Sequence, residues 1–123
     1  MPEVIFNVEK LNQKLKYWQE KLRLRDWIIN VKIMRQREMS QSDRLGEIQF
    51  NVYKKTALIS ILDPVDHDDW FEQDMENTLV HELLHLHFSG ISYHFGKDDN
   101  VYDMLEEQAI ESITNGLISL ERK

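Results

Sequence analysis

One stretch constrains this chain more than any other: Met75 to Phe88, which reads Met-Glu-Asn-Thr-Leu-Val-His-Glu-Leu-Leu-His-Leu-His-Phe. Met75, Leu79, Leu83 and Leu86 fall on one face of a helix, and Val80 and Leu84 extend it. A helix apolar over so much of its circumference belongs at the centre of a fold. Yet its middle carries His81, Glu82 and His85. Residues four apart lie on one helix face, so the two imidazoles stand one above the other, with Glu82 about 100° round. Polar groups on a central helix need partners. The rest of the chain must therefore bring something to this face.

The 123 residues suffice for one domain with a real core, residues 1–123. An apolar content of 41% with 30% charged residues fits a globular protein. The formal charge of −7 argues against nucleic acid and against an anionic membrane surface as partners. The absence of cysteine excludes disulfides, thiolate metal sites and cysteine nucleophiles. No apolar run has membrane length and no basic segment precedes an apolar one at the start, so a cytoplasmic location is expected.

Asn7 reads as an N-cap, with Phe6 and Leu11 placed as a hydrophobic staple. Val8, Leu11, Leu15, Trp18 and Leu22 then mark an amphipathic helix over residues 8–24. Trp27 to Met34 reads as a strand with Ile29, Val31 and Ile33 on one side, and residues 35–44 as a polar loop containing Ser40, Ser42 and Asp43. Gly46 to Tyr53 is a second strand with Ile48, Phe50 and Val52 on one face. Lys54 and Lys55 mark a turn before Thr56 to Leu62, the third strand. Short connections suggest a largely antiparallel sheet. Asp63 to Asp69 is a turn, and Asp69 with Glu72 resembles a capping box that starts the second helix at Trp70. That helix runs to about Phe88, with Gly90 as its stop. Asn100 is placed to cap a last helix from Val101 to about Glu121, with Tyr102, Leu105, Ala109, Ile110, Ile113, Leu117 and Leu120 inward. The fold class is α+β, in the order α-β-β-β-α-α.

His-Glu-x-x-His on a helix is the pattern of a zinc site in which the two histidines bind and the glutamate serves as general base. A catalytic zinc takes three protein ligands and keeps a fourth position for water, whose pKa falls from 15.7 toward about 7. His81 and His85 supply two ligands for one Zn2+ ion, and Glu82 is placed to take the water's proton. His87 lies about 200° round the helix from His85 and is excluded. His94 follows in the connection, and His67 precedes the helix as a weaker alternative. Glycine at 88 and histidine at 91 would mark a third ligand by the metzincin spacing, but these are Phe88 and Ile91. On the last helix, Glu106 falls near the centre of the expected inner face, where a carboxylate is costly to bury without a cation. Glu106 is therefore the expected third ligand. Glu107, a quarter-turn off, and His94 stay open as alternatives, and Glu111 is a candidate outer partner. Tyr93, Tyr102 and His94 are candidates to stabilise an oxyanion, although packing or surface exposure accounts for each as well.

His81-Glu82-Leu83-Leu84-His85, followed by a helix bearing Glu106-Glu107-Gln108-Ala109-Ile110-Glu111, resembles a minimal gluzincin of the zincin metallopeptidases. It is similar to the compact zincin-like proteins of phages and mobile elements and, more distantly, to ImmA/IrrE-type peptidase domains. The longer Asn-Glu-x-x-x-Asp pattern of gluzincins is absent. The resemblance implies a zincin-like fold: an N-terminal helix, a small sheet, the His-Glu-x-x-His helix and a glutamate-bearing C-terminal helix. It implies a zinc metallopeptidase acting on a protein or peptide, laid along Thr56 to Leu62 as an edge strand. So small a domain suggests a shallow site completed by a partner protein or a second copy. The competing expectation is a catalytically inactive, zinc-stabilised protein-interaction module.

Overall fold

The computed structural model describes residues 3–41, 44–67, 70–96 and 98–123. Helix α1 spans Val8–Lys21, and Asn7 caps it by accepting from the Lys10 amide at 2.8 Å. Leu11, Leu15 and Trp18 are its buried stripe. Its end comes at Lys21, earlier than the expected residue 24, because Arg23 turns into the left-handed region at φ 62°. Strands β1 (Ile28–Met34), β2 (Gly46–Asn51) and β3 (Thr56–Leu62) form one sheet in the order β1-β3-β2.

The sheet is mixed, which corrects the expected antiparallel arrangement: β1 pairs with β3 in parallel, and β2 pairs with β3 antiparallel. After β1 the chain crosses to the far edge, lays down β2 and returns as β3 in the middle. β3 is central because its run Ala57-Leu58-Ile59-Ser60-Ile61-Leu62 is apolar on both faces, and from Ile59 on every residue is buried. β1 alternates instead, and β2 does so from Ile48 on, as edge strands with one wet face do. The register aligns Ile29, Ala57 and Phe50 in one row, and Val31, Ile59 and Ile48 in the next. In the third row Ile33 and Ile61 meet Gly46. The β2–β3 turn is held by Asn51 Oδ1, which accepts from the Tyr53 and Lys54 amides at 3.0 Å.

Helix α2 spans Met75–His85 and lies against this surface. It starts five residues later than expected. Asp74 is the cap, accepting from the Asn77 amide at 3.0 Å, while Trp70 stands exposed before it. Asp69, half of the expected capping box, lies outside the described residues. Asp74 is the better cap because the segment before it is tied elsewhere: Gln73, 1% exposed, donates to Leu62 O at 2.8 Å, and Val4 pairs with Asp74 in a short parallel bridge. The six apolar positions read from the sequence are all buried. Beyond His85 a 3-10 turn (Leu86–Phe88), a single α turn α3 (Ser89–Ile91) and a π turn (Ser92–Gly96) continue the chain, so Gly90 is no stop. Helix α4 spans Asn100–Glu121 and packs on α2. Its cap is Asp99, whose carboxylate accepts from the Val101 and Tyr102 amides. Its buried residues are Ile110, Thr114 and Ile118. Of the expected inner face, Leu105, Ile113 and Leu120 are 54%, 42% and 64% exposed. The helix is turned by about a quarter-turn or more from that expectation.

The far end of α4 is locked by charge. Arg122 donates to Asp74 at 2.6 and 3.0 Å and to Glu76 at 3.2 Å, while Glu76 also accepts from the Trp18 indole at 2.7 Å. One buried carboxylate thus ties α1, α2 and α4 together, and the pairing offsets the cost of burying it.

Candidate metal centre

The turn of α4 fixed by this packing brings three glutamates onto the two histidines of α2. Glu107 reaches both distal nitrogens: Oε2 lies 3.0 Å from His81 Nε2 and Oε1 lies 2.9 Å from His85 Nε2. The proximal nitrogens are held separately. His81 Nδ1 is 3.1 Å from Glu111 Oε2, and His85 Nδ1 is 2.7 Å from Glu106 Oε2. The two rings are 5.3 Å apart, and one ligand atom from each of His81, His85 and Glu107 lies within 4.8 Å of the others. With a carboxylate on each nitrogen the metal-free rings are held as imidazolium, and a metal displacing the Nε2 proton would leave the Nδ1–carboxylate bond to fix the binding tautomer. Both Nε2 atoms then face the same gap, and Glu107 is the anionic donor that closes it. Two imidazoles and one carboxylate are a donor set that suits zinc with a position left open.

Charge shapes the group as strongly as distance. Burial works to lower the pKa of His85, but hydrogen bonds to Glu107 and Glu106 outweigh it and raise the value to about 9. His81 is raised for the same reason, against its own burial and mainly through Glu107. The two histidines hold the Glu107 carboxyl well below the usual range. Glu82 goes the other way: burial raises its pKa, with the histidines opposing. It is 7% exposed, and a Cβ on Gly46 would stand 3.4 Å from its Oε2.

These groups line an open cleft of about 680 Å3, a volume typical of ligand sites. α2 and α4 form its polar wall, and Leu45, Gly46, Ile48 and Phe50, on or next to β2, form the opposite one. Thr56 to Leu62, expected at the edge, is the middle strand, so the edge strand beside the histidines is β2.

His81, Glu82 and His85 stand together at this cleft, as read from the sequence. The structure places Glu106, the expected third ligand, on His85 Nδ1 and away from the shared gap, and Glu107 in that gap. This placement follows from the rotation of α4, since Glu107 is in line with the buried Ile110 and Thr114 and not with the exposed Leu105 and Ile113. His94 is exposed in the π turn, His67 binds Phe71 O at 2.6 Å, and His87 binds Leu22 O at 2.7 Å. None of them lines the cleft. Tyr93 pairs with the Tyr53 hydroxyl at 2.7 Å. The Tyr102 ring covers Gly96, and its hydroxyl pKa is pushed up to about 12 by burial and by Glu106. Neither tyrosine lines the cleft. Arg44 and Asp103 line it and were missed; as polar residues outside any motif they gave no signal.

No family model matches the chain in comparison with known proteins, and no curated protein or solved structure does so. No described helix is long and apolar enough to cross a membrane.

Proposed function

We propose that this chain is a zinc-dependent metallopeptidase in which His81, His85 and Glu107 hold one zinc ion and Glu82 is the general base. The observation that carries the reading is the sorting of the imidazole nitrogens. Both Nε2 atoms face one carboxylate, both Nδ1 atoms are held by others, and a buried glutamate stands beside them. Glu106 and Glu111 are positioning residues that orient the rings and raise their basicity.

Zinc bound there supplies a Lewis acid for the scissile carbonyl and makes water acidic enough to lose a proton at neutral pH. Glu82 would accept that proton and return it to the leaving amine, and its burial raises its pKa. The free edge of β2 offers amides and carbonyls to an extended peptide, next to Ile48 and Phe50. The chain's acidity and the cleft wall of Asp103, Glu106, Glu107 and Glu111 disfavour acidic substrates.

Zinc analysis of the purified protein, with three variants against a peptide library, tests the reading. Glu107→Ala should abolish stoichiometric zinc, and Glu106→Ala should weaken it by about 10–100-fold. Glu82→Gln should keep zinc and lose cleavage by about 100-fold or more. Protein without stoichiometric zinc, or equal zinc retention in Glu107→Ala and wild type, overturns the site. Full zinc with no cleavage by wild type replaces the peptidase with a zinc-stabilised interaction module.

A further inference from the structure

The outward face of α4 has an organisation that the metal site does not use. Successive residues step by about 100°, so Leu105, Ala109, Ser112, Ile113, Gly116 and Leu120 form one stripe about 150° from the buried Ile110, Thr114 and Ile118. Leu105, Ile113 and Leu120 are 54%, 42% and 64% exposed, and Val101 at the head of the helix is 63% exposed. No charged residue falls within the stripe, although 30% of the chain is charged. A solvated helix face ordinarily carries the charges.

We infer that this face joins a second copy of the chain, α4 against α4 in antiparallel. The spacing along the stripe is four, three, one, three, four residues, the same read in either direction. A two-fold axis between residues 112 and 113 sets Leu105 against Leu120 of the partner subunit, Ala109 against the partner's Gly116, and Ser112 against the partner's Ile113. Each contact then occurs twice, as a two-fold interface requires. The small pair lies where close approach of two helix axes needs it. Gly116 supports this independently. It sits inside a 22-residue helix, where glycine is a poor choice, and a Cβ there would meet nothing within 4 Å. Among the described residues of one protomer nothing calls for glycine; a facing backbone does.

Charge fits the same arrangement. Two chains of net charge −7 repel, and an uncharged face is where they can meet. In this register Lys123 comes near the acidic first turn of the partner helix, the end that bears Asp98 and Asp99 in this protomer. Two faces about 30 Å long bury on the order of 1,000 Å2, at the lower end of specific interfaces.

Sedimentation of the full zinc-loaded chain from about 1 to about 300 µM should show a monomer passing to a dimer. Gly116→Leu should leave only monomer with unchanged helical circular dichroism, because its side chain projects into open space within the protomer. With no native cysteine, Ser112→Cys gives a single thiol next to the axis and should form a disulfide-linked dimer under mild oxidation. Ser119→Cys should not, since the two copies would lie about 20 Å apart along the axis. A monomer at every concentration overturns the proposal. So does a dimer that survives Gly116→Leu, or cross-linking of Ser119→Cys as fast as of Ser112→Cys.

Discussion

Replacing Gly46 by alanine should loosen the junction between β2 and the histidine-bearing helix, and the coordinates set the size of the effect. A Cβ on Gly46 would meet Thr78 Cγ2 at 2.6 Å, Ser60 O at 3.2 Å and Glu82 Oε2 at 3.4 Å. The backbone at Gly46 is not in the left-handed region, so the cost is steric and not conformational. The first contact is far inside van der Waals distance. Thr78 is 7% exposed and holds Asp74 O through its hydroxyl at 3.2 Å, so its methyl has little freedom to turn away. Overpacking of this kind costs about 1–3 kcal/mol. Thr78→Ser deletes the offending methyl, keeps the hydroxyl, and alone should cost about 0.5–1.5 kcal/mol for the lost packing. In the double variant the new alanine methyl occupies the vacated space. The two changes should then offset each other by about 1–2 kcal/mol, short of full recovery because the Ser60 carbonyl remains close. Urea unfolding of the four zinc-free proteins gives the coupling directly. At about 4 °C per kcal/mol for a domain of this size, melting temperatures should show it too. Additivity within about 0.3 kcal/mol would refute the claim that β2 and α2 touch through Gly46 and Thr78.

Arg122→Met removes the partner of two carboxylates that are 9% and 6% exposed, and should cost about 2–3 kcal/mol in denaturant unfolding, a little under a fully buried pair because the arginine is 25% exposed. A cost below about 0.5 kcal/mol would mean that the tie between α2 and the end of α4 carries no energy. In zinc-free protein, the pKa of His85 is raised from 6.5 to about 9 by its carboxylate partners. That stabilisation is complete below about pH 6.5 and is lost as pH rises through about 9, so the zinc-free melting temperature should fall across this window. A rise there would contradict the Glu106 and Glu107 contacts. Zinc at 100 times its Kd should add about 2.7 kcal/mol, or about 10 °C, which chelator should remove. Glu107→Ala should show no such increment.

Much of the site was legible because its spacing is a local property. Two histidines four apart share a helix face whatever surrounds them, and six apolar neighbours required that helix to be central. The cap at Asn7 and the three strand spans were equally local. Which glutamate faces both Nε2 atoms was not, because α4 carries two apolar stripes. Leu105, Ile113 and Leu120 form one and Ile110 and Ile118 the other, and periodicity does not say which is inside.

The sequence by itself therefore determined the α2 helix with its histidine pair and Glu82, the α+β class, and the presence of a glutamate cluster on the last helix. Tertiary structure decided the mixed strand order, the start of α2 at Met75 behind its Asp74 cap, and which glutamate meets which imidazole nitrogen. The reason is rotational: a helix turns about 100° per residue, so the choice between Glu106 and Glu107 rests on the roll of α4 about its axis. That roll is set by Ile110, Thr114 and Ile118 against α2, and by Arg122 against Asp74, contacts between residues far apart in the chain.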